Sequence, residues 1–292
     1  MNDELVMSLW RALMLRGLSD KGREALAVYE SATELYNERF SASMLLGSKD
    51  VDKLLSADPE QARNIAAICD NNGIRIYLRG TDEYPKRLED CAAPPEVLFS
   101  LGSAEMALNA RTIAVVGSRD CDDYSLGISR RISADLARAG FTIVSGFARG
   151  IDTSAHQGAL DAGGSTVAVL GCGLLCDYPR NTRKFKELIS HKGAVISEFL
   201  PNEQNLPNYF LDRNAVIAGI SESLLCTQAA LRSGTLNTVG NIRRLGKPVY
   251  VTPPHDIYGE NYAGVIRLLR EGCTQVYSAE DIISAYADKS EW

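Results

Sequence analysis

Ile113 to Val116, followed at once by Gly117-Ser118-Arg119 and then by the amphipathic segment Tyr124 to Ala139, limits the fold more than any other stretch. An uninterrupted β-branched and Ala run bounded by Gly reads as a strand buried on both faces, hence as part of a parallel sheet. The spacing after it predicts a helix over 124–139. Strand, Gly-Ser-Arg turn and helix in line predict unpaired backbone N–H groups and a positive helix end aimed at one spot beside an arginine. Such a spot suits a phosphate or another anion.

The same alternation repeats after Gly102. Strands are expected near 112–117, 141–145, 165–170, 194–197, 223–227 and 247–251 with helices between them, an α/β fold with a doubly wound, mostly parallel sheet. Sheets of this kind bind ligands beyond the carboxyl ends of their strands. The turns at those ends hold Gly117-Ser118-Arg119, Gly146-Phe147, Gly171-Cys172-Gly173, Glu198 to Pro201, Gln228 to Thr235 and Thr252-Pro253-Pro254, all on one rim. Upstream the pattern is helical: Leu5, Val6, Leu9, Trp10, Leu13 and Met14 step at three and four. Ser19 is expected to cap a helix through Tyr36, and Pro59 to open another that stops at Asn71-Asn72-Gly73. Ile74–Leu78 and Val97–Phe99 read as short strands. The expected domains are therefore a helical one over 1–80, a linker with an edge strand over 81–110, and the sheet domain over 111–292.

A chain of 292 residues with 45% hydrophobic and 23% charged composition can bury a full core. No stretch is long and apolar enough for a membrane span, and MNDELVMSLW has no basic region ahead of its apolar residues, so a cytoplasmic location is expected. The net charge of −6 resides mostly in residues 1–102, where 12 Lys and Arg face 17 Asp and Glu. Any phosphate-binding surface must then be a local groove that weakens with salt. Seven cysteines suggest reduced thiols; Cys172 and Cys176, without a second pair, read as buried small hydrophobes and not as a metal site.

Neither G-x-G-x-x-G nor the P-loop motif occurs, and Pro179 interrupts the helix that should follow Gly171-Cys172-Gly173, so no nucleotide cofactor is expected. Ser233-Gly234-Thr235 sits at a helix start after a strand, where small residues let a phosphate approach the backbone. Arg180, Asn181, Arg183 and Lys184 in DYPRNTRKF, with Arg213 and Asn214 in YFLDRNAVIAG, add donors suited to phosphate, and Tyr178, Tyr209 and Phe210 lie beside them for stacking. Asp152 and His156, four apart in GIDTSAH, read as a structural hydrogen-bonding pair tying a helix start to a turn, since no nucleophile accompanies them. Glu198 is the carboxylate placed at a strand end near an arginine.

VVGSR, FTIVSGFARGIDTSAHQGAL, TVAVLGCG followed by YPRN, ISEFLP, NYFLDRNAVIAGIS, RSGTLNT and GKPVYVTPP together resemble the DNA-processing protein A family, DprA/Smf, over nearly the whole chain. That resemblance implies an extended Rossmann-like domain preceded by a small helical SAM-like domain. It further implies a homodimer that binds single-stranded DNA without an enzymatic step and helps load the RecA recombinase in natural transformation. It assigns the central phosphate contacts to Ser118 and Arg119 and further contacts to Arg180, Arg213, Asn214, Ser233, Gly234 and Thr235; Gly117, Gly146, Phe147, Gly171, Asn181 and Lys184 complete the expected DNA- and phosphate-binding set. The family's Arg-Asn-Arg-Ile reads Arg213-Asn214-Ala215-Val216 here, its Glu-Ala reads Gln228-Ala229, and its Pro-Gly reads Pro253-Pro254. With the sequence ending at Trp292, no C-terminal winged helix is expected. A second reading is a nucleotide-binding protein, either a sensing module with no DNA role or an enzyme resembling the lysine-decarboxylase-like phosphoribohydrolases, which carry Pro-Gly-Gly-x-Gly-Thr and a following Glu; Leu236-Asn237-Thr238 supplies no such Glu.

Overall fold

Side-chain caps start most of the early helices where the sequence supplies them. The computed structural model describes residues 2–89, 91 and 93–287, in two units: Met1–Tyr84 with Pro95–Phe99, and Pro85–Pro94 with Ser100–Trp292. In the first unit α1 (Asp3–Arg16) is capped by Asn2, α2 (Asp20–Leu26) by Ser19, α3 (Ala32–Asn37) by Ser31 and α6 (Pro59–Asn71) by Asp58, with α4 (Arg39–Ala42) and α5 (Ser48–Ser56) between. The helix expected from Ser19 through Tyr36 is thus two. Ser31 and Glu34 form a reciprocal capping box that restarts the chain, and Arg11 Nη2 donates to the carbonyl of Tyr29 in the break, at 2.8 Å. Trp10, Leu9, Leu26, Leu35 and Leu54 are buried, and the Trp10 indole donates to the carbonyl of Ala57 at 3.1 Å. Strand β1 (Arg75–Leu78) follows, and the chain crosses between units within β2 (Val97–Gly102).

The second unit alternates as its sequence predicts. Its elements are α7 (Ala104–Leu108), β3 (Arg111–Val116), α8 (Asp123–Arg138), β4 (Phe141–Ser145), α9 (Ile151–Asp161), β5 (Thr166–Val169) and α10 (Arg183–Lys192). They continue with β6 (Ala194–Ser197), α11 (Tyr209–Ile220), β7 (Ser223–Cys226), α12 (Gly234–Arg244), β8 (Val249–Val251), α13 (Ala263–Arg270), β9 (Thr274–Gln275) and α14 (Ala279–Ala287). The strand order is β6-β5-β4-β3-β7-β8-β9, every pairing parallel, with Ile113 facing Ile143 on one side and Ser223 on the other. Alternate residues of each strand face opposite layers. Ile113, Val115, Phe141, Ile143 and Leu225 pack with Ile128, Ile132 and Leu136 of α8, Ile151 and Ala155 of α9 and Ile282 of α14 in one core. Among the described residues no helix is long and apolar enough to cross a membrane.

Candidate nucleic-acid interface

Strand order reverses at β3, which has β4 on one side and β7 on the other. The chain leaves β3 for α8 in one direction and β7 for α12 in the other, so the turns after these two strands diverge and leave a crevice at their carboxyl ends. A cavity of about 380 Å³ opens there, lined among others by Ser118, Arg119, Phe210, Asn214, Ser233 and Gly234.

Sequence dictates the first turn tightly. A Cβ on Gly117 would stand 2.5 Å from Ile151 Cγ1, so only glycine lets α9 start against it. Gly150, at φ 83°, closes the other side: a Cβ there would meet the carbonyl oxygens of Ser118 and Arg119 at 2.5 and 2.7 Å. The expectation of free donors and an open helix end at this turn is corrected by the hydrogen bonds. The Ser118 N–H donates to the Gln228 carbonyl at 2.9 Å, and its hydroxyl donates to the Asp120 carbonyl at 2.9 Å. The start of α8 is taken by a carboxylate of the chain itself: Asp122 accepts from the Ser125 N–H at 2.8 Å and from the Tyr262 hydroxyl at 2.7 Å. An anion has little to gain from a helix end that already holds one.

What remains open is the side chain of Arg119. It is exposed, and among the described residues no hydrogen bond or ion pair ties it down. Its guanidinium lies 5.2 Å from the ring centroid of Phe210, a half-buried aromatic that Tyr178 flanks at 5.7 Å. Gly171 makes room for this ring, since a Cβ would come 2.9 Å from Phe210 Cδ1. Arginine and aromatic side by side at a strand-end crevice can hold a phosphate and stack an unpaired base. Phe210 is the centre of this group, and its place in a run of basic and aromatic residues was the sequence signal for it.

Arg213 and Phe147, expected on the surface of the site, lie beneath it. Arg213 is 5% exposed; its Nη1 donates to the carbonyls of Gly146 and, at 2.8 Å, Val169, and its Nε donates to Asn214 Oδ1 at 3.1 Å. These donors serve the ends of β4 and β5, which is why a Cβ on Gly146 would strike the guanidinium. Asn214 reaches Gly234 O and Asn237 Oδ1 at 3.4 and 3.3 Å, fastening α11 to α12. Phe147, at φ 60°, is buried and stacks on Phe185 with centroids 5.7 Å apart. Asp152 accepts from the Ala148 N–H at 3.2 Å; burial raises its carboxyl above the ordinary value, against the pull of Arg213 and that N–H. His156 is wholly buried, its Nδ1 2.7 Å from Thr166 Oγ1, which itself donates to the Ile143 carbonyl at 2.7 Å. Since the threonine proton is used, Nδ1 carries the imidazole hydrogen, and Nε2 is left a bare, buried lone pair.

Across the crevice from Arg119, α12 starts without a side-chain cap. Among the described residues the buried Ser233 hydroxyl has no hydrogen-bond partner, a Cβ on Gly234 would meet nothing within 4 Å, and Thr235 is nearly covered. An eleven-residue helix with an open first turn facing a cavity is suited to an anion. Arg180 belongs to a neighbouring groove of about 590 Å³ that also includes Arg119, Arg149 and Tyr178. Asn181, at φ 63°, donates its N–H to Asp177 Oδ1 at 3.0 Å. Lys184 is exposed on the first turn of α10, outside the lining of either cavity. Lys186 points inward to the Cys176 carbonyl at 2.6 Å. Cys172 and Cys176 are buried, and burial pushes the Cys172 thiol up to about 11.

Residues 75–287 match the family model described as DNA recombination-mediator protein A. The chain belongs to this family. Its relatives include the DNA processing protein DprA of Streptococcus pneumoniae (strain ATCC BAA-255 / R6), 35% identical over 205 residues, which are 70% of this chain and 72% of the relative. The Bacillus subtilis DprA is 29% identical over 80% of this chain and 77% of its own length. Of the Escherichia coli K12 protein Smf, 37% identical, the chain covers 53%. Among solved structures, S. pneumoniae DprA superposes with a TM-score of 0.81 at 27% identity, over 94% of this chain and 97% of that one. Helicobacter pylori DprA, whose structure describes a unique single-stranded DNA binding mode, gives 0.66 at 25% identity over 74% and 97%. As a member of the DNA recombination-mediator protein A family, the chain shares its α/β fold with both.

Proposed function

We propose that this family member binds single-stranded DNA without sequence preference along the rim of its sheet. It does so as a cytoplasmic homodimer, and it helps load RecA recombinase without a catalytic step of its own. The observation that carries the reading is the unpaired Arg119 guanidinium against Phe210, opposite the uncapped start of α12. Backbone phosphates would alternate between Arg119 and the turn Ser233-Gly234-Thr235, with bases stacking towards Phe210 and Tyr178. In the neighbouring groove Arg180 would extend the track. Residues 111–292 would form the DNA-binding domain, 81–110 its lead-in, and 1–80 a SAM-like domain. The single-strand binding described for the H. pylori relative supports the choice of ligand, and the mediator description of the family supports the choice of partner.

Fluorescence anisotropy with oligothymidylate and with duplex of equal length, over a salt series, tests the reading. Single strand should bind more tightly, with log K falling linearly in log salt; Arg119→Ala should weaken it and flatten the slope by about 0.7, one single-strand phosphate contact. Equal affinity for duplex, or an Arg119→Ala protein that binds unchanged, would overturn it. Release of free base from nucleoside monophosphates would instead favour the phosphoribohydrolase reading. RecA ATPase on single-stranded DNA, with and without the protein, measures the loading step.

A further inference from the structure

A second groove leaves the rim at Arg119. The helices α8 and α9 come together where Gly158 packs on the backbone of Arg130. Towards the sheet rim they leave a cavity of about 600 Å³, into which Arg119, Arg130, Arg149, Gly127 and Thr153 face. Three arginines reach it, of which Arg119 has no ion partner among the described residues. Arg130 is held in place by Asp161, at 2.8 Å from Nε and 2.5 Å from Nη2. Among the described residues Arg149 has one ion partner, Asp120 at 3.9 Å, and its side chain is 76% exposed. Among the described residues lining the groove Asp120 is the one carboxylate, and Asp161 meets the charge of Arg130 from outside that lining. Arg119 and Arg149 also line the Arg180 groove, so these two arginines stand where the grooves meet.

Resting on the reading given above, we propose that the α8–α9 groove is a second segment of the DNA track, taking the phosphates of the same single strand beyond Arg119. The occupant must carry repeated negative charge and bend from the rim onto a helix face, which a flexible polyanion does. Since Arg119 is common to both places, a strand seated at the crevice is delivered to the groove's mouth. Short strands would end at the rim; longer ones would continue past Arg149 towards Arg130. Affinity should therefore grow with length beyond what the crevice alone accommodates.

Gly127 gives a clean test. It is exposed on α8, and a Cβ there meets nothing within 4 Å, so any side chain is accommodated and helix propensity improves. Oligothymidylates of about 6 and about 20 nucleotides, lengths chosen around the usual site sizes of single-strand binders, are titrated onto the full chain and its Gly127→Glu, Gly127→Gln and Gly127→Lys variants. At low salt Gly127→Glu should weaken the long strand about two- to fivefold, the scale of one exposed charge interaction. Gly127→Lys should tighten it, Gly127→Gln should match the parent, and all should bind the short strand alike. If the long strand is indifferent to charge at position 127 while Arg119→Ala weakens the short one, the groove proposal falls and the rim reading stands. Indifference in both experiments sinks both. Competition by oligoglutamate against the long strand, lost in Gly127→Glu while strand affinity is unchanged, would give the groove to an acidic protein segment and overturn the proposal.

Discussion

Acidification below about pH 6.5 should destabilise this protein through His156. Its imidazole is fully buried, hydrogen-bonded through Nδ1–H to Thr166, and lies near the rings of Phe147 and Phe185, with centroids 6.0 and 6.3 Å from its own; among the described residues Nε2 has no partner. A proton on Nε2 would find no acceptor and would add positive charge near Arg213. Burial first, and Arg213 second, push the group down from 6.5 to about 3. In the unfolded chain the ring titrates near 6.5, so the unfolded state takes up a proton that the folded state refuses. Stability is then intact above about pH 6.5 and is lost as pH falls towards 3, at about 1.4 kcal/mol per pH unit. Between pH 7 and pH 5 the loss from this one residue is about 2 kcal/mol. Urea denaturation followed by far-ultraviolet circular dichroism measures it, with His156→Gln as the non-titrating comparison. The variant will be less stable at pH 7, but its stability should fall less steeply from pH 7 to 5. Nitrogen-15 shifts of the His156 ring should show Nδ1 protonated and Nε2 bare down to about pH 4. Parallel pH slopes for parent and variant, or a ring that titrates near 6.5 in the folded protein, would refute the reasoning.

Other perturbations probe the framework under the site. Gly117→Ala would place a methyl 2.5 Å from Ile151 Cγ1, and should cost about 1–3 kcal/mol as the start of α9 is forced away; an unchanged denaturation midpoint would show that the turn yields freely. Arg213→Met removes the buried donors to the Gly146 and Val169 carbonyls together with the positive charge that favours ionised Asp152, and should cost about 1–3 kcal/mol. Adding Asp152→Asn should recover part of that loss in thermal denaturation, and a double variant no more stable than the single would show that the two groups are not coupled.

The alternation of strand and helix was legible because parallel strands buried on both faces are written as apolar runs, and Ile113–Val116 or Val167–Val169 leave little else to fold into. Strand β9 was not: Thr274 and Gln275 are two exposed polar residues whose pairing depends on the neighbouring β8. Ser31 and Glu34 did carry a readable signal, a capping box three residues apart, which the longer helical periodicity from Ser19 obscured. At the site, the strand-end turns were legible from Gly and Ser, but sequence reports charge and not burial, and so grouped Arg119 with Arg213. One signal could have parted them. Arg213 stands in a helix apolar nearly all round, Tyr209 to Ile220, where a charge is tolerated only if paired; Arg119 stands in an exposed turn.

That separation explains how a chain of net charge −6 can present a cation at its crevice. Asp152 and Arg119 line the same cavity and feel each other's charge. Burial disfavours the charge on Asp152; Arg213 is the cation that most favours it, and Arg119 acts more weakly. Arg213 supplies that countercharge from below while giving Nη1 and Nε to Gly146, Val169 and Asn214. Arg213 thus meets the charge of Asp152 from within the fold, while Arg119 stands at the crevice with no hydrogen bond or ion pair among the described residues.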